Sequence, residues 1–232
     1  MSCRYRAVLF DMDGTLLDSY EAIGEAARIT IQRYGLTLPE GIPLSWFIGP
    51  PPEQTFGRWF RWEDEARLKE VIAFYRALYE ERMFMGRVYP GIFPLLEALR
   101  GAGVRTSLAT MKRQPGALEL ARRFGFAQRL DWIQGRDPAA GIATKADVVR
   151  AAMAQLGVED PRQVVLVGDS NLDLTGARES GVDFAAVYYG FGFSHHPGRE
   201  AEPSGCTVQL DTVEELTAFL LSACSASPGA PN

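Results

Sequence analysis

Short apolar runs alternate along this chain with longer stretches whose apolar positions recur at helical spacing. Residues 7–10, Ala-Val-Leu-Phe, suit a buried strand, though four residues by periodicity alone also fit a helix. Ala22, Ile23, Ala26, Ile29, Ile31 and Tyr34 predict a helix after Leu17, with Asp18 or Ser19 at its start and Glu21 near a capping box. Gly35 is well placed to end it. Breakers between 38 and 43 mark a loop. Pro52 suits the first turn of a short helix over 52–60. Leu68, Val71, Ile72, Phe74, Tyr75, Leu78 and Tyr79 predict a longer one over 63–83. Residues 19–84 therefore read as all-helical.

From Tyr89 onward strands and helices alternate. Helices are expected over 92–100, 114–124, 145–156, from about 171 to 180, and over 213–221. Strands are expected over 104–109, 132–134, 164–167, 184–188 and 208–210, with Thr110 just past the second strand of the chain. Val164-Val165-Leu166-Val167 is the plainest buried parallel strand. This is the pattern of an α/β protein with a parallel sheet, interrupted after its first strand by a helical block. The expected division is a core of 1–17 and 85–222, a helical insert of 18–84, and a flexible tail of 223–232. A block inserted there is placed to cover a site at the strand end and to exclude water from it.

Composition narrows the class. A 232-residue chain with 47% hydrophobic residues has enough apolar surface for one large domain or a core with an insertion. A formal charge of −5 provides no basic footprint for nucleic acid. No apolar run approaches a membrane span, and the run after the charged amino terminus stops at Asp11, which does not suit a secretory signal. Cys3, Cys206 and Cys224 are odd in number and form no Cys-x-x-Cys, which suits free thiols in a cytoplasmic protein. No part of the pattern specifies an oligomeric state.

Four polar clusters fall just past strands or at helix starts. They are Asp11 with Asp13, Thr110, Lys145, and Asp169 with Asp173. The carboxyl ends of parallel strands share one edge of a sheet, so these groups can converge. Alone, Asp11 and Asp13 also read as turn formers before Gly14, and Asp169 and Asp173 as helix caps. Together, two acid pairs suit a hard cation such as Mg²⁺. A lysine suits a phosphate as a point charge, and a hydroxyl adds a donor. One of the acids could attack a phosphoryl group.

The ordered set Asp-x-Asp-Gly-Thr, Thr, Lys, Gly-Asp-x-x-x-Asp resembles the haloacid dehalogenase (HAD) superfamily, and its phosphatase branch in particular, over about residues 8–221. The resemblance implies a doubly wound, Rossmann-like core with a small all-helical type 1 cap. Gly49-Pro50-Pro51 and Tyr89-Pro90-Gly91 are similar to phosphoglycolate phosphatase-like members. It implies Asp11 as nucleophile, forming an aspartyl-phosphate, and Asp13 as acid and then base. Thr110 and Lys145 would hold the phosphoryl group, Lys145 also holding Asp11. Mg²⁺ would be bound by Asp11, Asp169 and the carbonyl of Asp13, with Asp173 supporting its water shell. Met111 and Ala146 stand where many phosphoglycolate phosphatase-like members have Asn and Pro, and 144–149 is similar to 5′-nucleotidase-like members. The implied activity is hydrolysis of a small phosphorylated metabolite, phosphoglycolate phosphatase-like. The alternatives are a 5′-nucleotidase-like or other HAD phosphatase, a sugar phosphomutase, and a catalytically silent binding protein. A dehalogenase fits less well, because Asp13 supplies an acid that those members lack.

Other features read more simply. The aromatic residues Trp46, Phe47, Phe56, Trp59, Phe60 and Trp62 are expected as the core of the insert. Arg58, Arg61 and Arg67 are expected on its solvated face, and His195-His196 in a surface loop. Gly190-Phe191-Gly192 lacks the third glycine and the helix of a dinucleotide loop, and no P-loop sequence occurs.

Overall fold

The computed structural model describes residues 4–62, 64–193 and 205–225. His195, His196, Cys3 and residues 226–232 lie outside the described residues, while 223–225 of the expected tail are helical. In chain order the main elements are β1 (Ala7–Phe10), β2 (Leu17–Asp18), α1 (Tyr20–Arg33), α2 (Pro52–Trp59), α3 (Glu65–Arg82) and β3 (Arg87–Val88). They continue with α4 (Ile92–Gly101), β4 (Arg105–Arg113), α5 (Gln114–Arg123), β5 (Trp132–Arg136), α6 (Lys145–Leu156) and β6 (Val164–Gly168). The last are α7 (Asn171–Ser180), β7 (Asp183–Val187), β8 (Val208–Leu210) and α8 (Val213–Ser225).

Six strands form one parallel sheet in the order β5-β4-β1-β6-β7-β8. Strand alternation divides β1 between two cores. Val8 and Phe10 join Leu95, Leu96 and Leu99 of α4, Leu120 of α5 and Leu216 of α8 on one face. Ala7 and Leu9 join Val148, Val149 and Ala152 of α6 and Leu174 and Ala177 of α7 on the other. Helices thus cover both faces, which is why the strands read as unbroken apolar runs. A fully buried Leu or Phe at such a position contributes about 1.5–3 kcal/mol.

Strand order reverses at β1: β4 lies on one side and β6 on the other. A crevice opens beyond the strand ends at such a switch point, and Asp11 is the first residue past β1. Gly14 there has φ +77°, which a side-chain-bearing residue rarely adopts, and its N–H donates to the Leu17 carbonyl at 2.8 Å.

The helical block departs from β2 and returns through β3, a two-residue antiparallel pair that the apolar pattern is too short to signal. Helices α1–α3 enclose their own apolar cluster, in which Phe47, Phe56 and Phe60 are buried and Trp59 and Trp62 are packed against them. The Phe56 ring meets Phe47 edge-on at 5.1 Å and Tyr75 at 5.3 Å. The three phenylalanines are therefore core, Trp59 and Trp62 flank it, and Trp46 packs on Trp59 with ring centres 5.1 Å apart. The expected capping box at α1 does not form: Ser19 accepts no cap hydrogen bond, and Asp18 instead accepts from the Tyr20 N–H at 3.2 Å. No helix among the described residues is long and apolar enough to cross a membrane.

Candidate active site

All six sequence-identified residues are buried: Asp11, Asp13, Thr110, Lys145, Asp169 and Asp173. Each arrives by a local rule. Asp11 and Asp13 follow β1, and Asp169 follows β6. Lys145 opens α6, whose Thr144 and Asp147 form a capping box. Asp173 is the third residue of α7 and caps Ser170 reciprocally. Its carboxylate therefore caps the helix through one oxygen and turns the other toward Lys145.

The centre of the site is a lysine between two acids. Lys145 Nζ donates to Asp11 Oδ1 at 2.5 Å and lies 2.5 Å from Asp173 Oδ1. Ligand atoms of Asp11, Asp169 and Asp173 all lie within 4.8 Å of one another. Asp169 Oδ2 accepts from the backbone N–H groups of Phe191 at 2.7 Å and Gly192 at 3.0 Å. The glycine-aromatic loop thus orients an acid. A Cβ on Gly14 or Gly190 would overlap the Asp169 carboxylate, so only glycine permits this close approach.

Thr110 lies inside β4 rather than beyond it, because the strand continues to Arg113 with a register shift between Ala109 and Arg113. That irregularity brings a residue the sequence reading overlooked to the site. Lys112 Nζ lies 2.8 Å from Asp13 Oδ2 and donates to the Tyr79 hydroxyl of α3 at 2.7 Å. The signal was a cation two positions after Thr110 at the sheet edge. Asp13 Oδ1 is buried with no hydrogen-bond partner.

Burial dominates the electrostatics. It pushes Asp11 up to about 7, with the Asp173 and Asp13 charges adding to it and Lys145 opposing. Burial pushes Asp169 well up, with Asp173 and Asp11 adding and the Gly192 and Phe191 N–H groups opposing. Burial acts downward on Lys145 and Lys112. Their carboxylate partners outweigh it, so both ammonium groups are held charged. Four buried carboxyl groups face two ammoniums, so the fully ionised set would carry two negative charges in excess, a charge that burial resists and a bound cation would offset. An all-oxygen donor set with that excess fits one Mg²⁺-like divalent cation.

Between the helical block and β4 lies a cavity of about 370 Å³ that reaches Asp13. Phe47, Tyr75, Tyr79 and Met111 provide apolar wall, while Lys112, Arg113 and Arg136 provide positive charge.

Residues 8–187 match the model of the haloacid dehalogenase-like hydrolases. The chain is 38% identical to tyrosine-protein kinase PtkA of Mycobacterium tuberculosis over 186 residues, which are 80% of this chain and 62% of PtkA. The match thus spans less than two thirds of PtkA's length. A solved PtkA structure superposes with a TM-score of 0.73 at 33% identity, covering 94% of this chain and 98% of that one. The chain is 36% identical over 214 residues to a Pseudomonas aeruginosa 5′-nucleotidase, covering 92% of this chain and 96% of the other. It is 33% identical over 222 residues to a phosphoglycolate phosphatase of Cupriavidus necator, covering 94% of each.

Proposed function

The chain belongs to the haloacid dehalogenase-like hydrolases, and from that premise we propose that it is a Mg²⁺-dependent phosphomonoester hydrolase working through an aspartyl-phosphate. The observation that carries the proposal is the Asp11–Lys145 contact within a cluster of buried carboxylates.

In this reading Asp11 attacks phosphorus with the oxygen that Lys145 does not hold. A bond forms from Asp11 to phosphorus as the bond from phosphorus to the leaving oxygen breaks. Asp13 delivers a proton to that oxygen through its unpartnered Oδ1. Asp13 then takes a proton from the water that attacks the aspartyl-phosphate, and phosphate leaves with Asp11 restored. Lys145 and Thr110 hold the phosphoryl oxygens. Asp11, Asp169 and the Asp13 carbonyl would hold Mg²⁺, with Asp173 supporting its water shell. The bound ion would neutralise charge on the transferring group. Residues 18–84 act as the cap, closing over the cavity and excluding bulk water.

The substrate proposed is a small phosphorylated metabolite, phosphoglycolate phosphatase-like or 5′-nucleotidase-like. The mixed apolar and cationic cavity supports a leaving group that is either anionic or larger than a two-carbon acid. A cytoplasmic location suits the free thiol of Cys206. The likeness to PtkA favours a second reading, in which the phosphoryl group passes from Asp11 to a protein tyrosine instead of water.

The test is release of phosphate from p-nitrophenyl phosphate with and without Mg²⁺, then from phosphoglycolate, nucleoside monophosphates, sugar phosphates and pyrophosphate. Mg²⁺-dependent turnover that disappears in Asp11→Asn is expected. An Asp11→Asn protein as active as wild type would falsify the mechanism. Labelling of a tyrosine polymer by radioactive ATP, without phosphate release, would favour the second reading.

A further inference from the structure

We propose that Lys112 is a positioning residue that couples the seating of the cap to the proton donor of the reaction. This inference rests on the hydrolase reading above. The chain has three lysines in all: Lys69, Lys112 and Lys145. Lys69 is exposed on α3, and Lys145 belongs to the nucleophile. Lys112 belongs to neither group. Its ammonium sits between Asp13 Oδ2, on the core, and the Tyr79 hydroxyl, on the helical block. It also lies 4.7 Å from the Tyr79 ring centre.

The clamp has a chemical consequence. A carboxyl group offers two oxygens, and rotation exchanges them. With Oδ2 engaged by Lys112, only Oδ1 remains for the leaving oxygen, and Oδ1 has no other partner. A proton donor works only within hydrogen-bond reach of its acceptor, so a fixed orientation matters more than proximity alone. Tyr79 supplies the second anchor from across the cleft. When the cap swings away, Lys112 loses that anchor, and Asp13 loses its fixed orientation. Cap seating and acid readiness are thereby one event. The single point charge of a lysine suits this better than an arginine fork, which would span more of the cavity.

The experiment compares phenyl phosphate with p-nitrophenyl phosphate, which share an aryl phosphate core but differ in the leaving group's need for a proton. Lys112→Met is expected to lower kcat/KM about 100-fold on phenyl phosphate and less than about 5-fold on p-nitrophenyl phosphate, in keeping with the size of acid catalysis. Tyr79→Phe is expected to show the same asymmetry, and Lys112→Arg to restore part of the loss. Equal losses on both esters, or none, overturn the proposal, because a merely structural role does not sense the leaving group.

A second measurement needs no turnover. Reductive methylation followed by mass spectrometry reads the reactivity of Lys112 against Lys69 within one molecule. Protection of Lys112 by a factor of about 10 or more, relaxed in Asp13→Asn and in Tyr79→Phe, is expected for a buried charge-assisted clamp. Labelling of Lys112 as fast as Lys69 overturns it. Wild-type protein that hydrolyses neither ester defeats the hydrolase reading, while the labelling still decides whether the clamp exists.

Discussion

Lys145 Nζ lies 2.5 Å from Asp11 Oδ1, and both side chains are almost wholly removed from solvent. The pair is separated by 134 residues and joined by the meeting of α6 with the end of β1. Removing one partner of a buried ion pair leaves an uncompensated charge, at about 3–5 kcal/mol. Lys145→Met is therefore expected to lower unfolding free energy by about that amount above pH 7, where Asp11 is ionised, measured by urea denaturation without added metal. A variant within experimental error of wild type would show that the ammonium contributes nothing to the fold.

Metal binding should follow pH. Burial raises Asp11 to about 7, above the usual carboxylate range, so its neutral form is favoured below that pH in the metal-free fold. This group's contribution to stability is full at low pH and is lost as pH rises through about 7. In the proposed reaction Mg²⁺ would bind the carboxylate, and so would compete with that proton. Apparent affinity should rise with pH by at least about tenfold per unit below about 7, because Asp169, which burial also raises, must give up its proton as well. Calorimetric titration at pH 5.5 to 8.5 reads this directly, and a flat profile refutes the linkage.

The Asp169 cradle should be sensitive to a single methyl group. A Cβ at Gly192 would collide with the Asp169 carbonyl and the Ser170 backbone. The loop would move, taking with it the N–H donors of Phe191 and Gly192. Gly192→Ala should weaken Mg²⁺ binding by about 10- to 100-fold, as loss of the groups that orient a ligand does. Unaltered affinity in this variant would mean that the N–H groups do not set the carboxylate's position.

The cap should lose stability on its own. Phe56 is fully buried among Phe47, Phe60 and Tyr75, in a cluster separate from the two faces of the sheet. Phe56→Ala should remove about 3–5 kcal/mol from the cap. Hydrogen exchange would show faster amides in α1–α3, with β1, β4 and β6 keeping their protection. Uniform loss across the sheet would show instead that cap and core unfold as one unit.

The alternation of strands and helices, the helical block after β1 and the six acidic, hydroxyl and amine residues proposed as the site could be named from residue order. Apolar periodicity and chain-local signals such as Thr144 with Asp147 depend only on neighbours in sequence. The β2–β3 pair could not, since two-residue strands carry no period. Nor could the extension of β4 past Ala109, because its polar residues gain their place from pairing with β5. The same reason hid Lys112. Its identity is local, but its meaning comes from Asp13 and Tyr79, 99 and 33 positions away. Which oxygen of Asp13 is held, which glycines crowd Asp169 and how Asp173 serves two roles are likewise products of packing. Residue order determined which reactive groups this protein carries and in what succession. Only the tertiary structure decided how those groups constrain one another, because burial and charge pairing act through distances the chain does not encode locally.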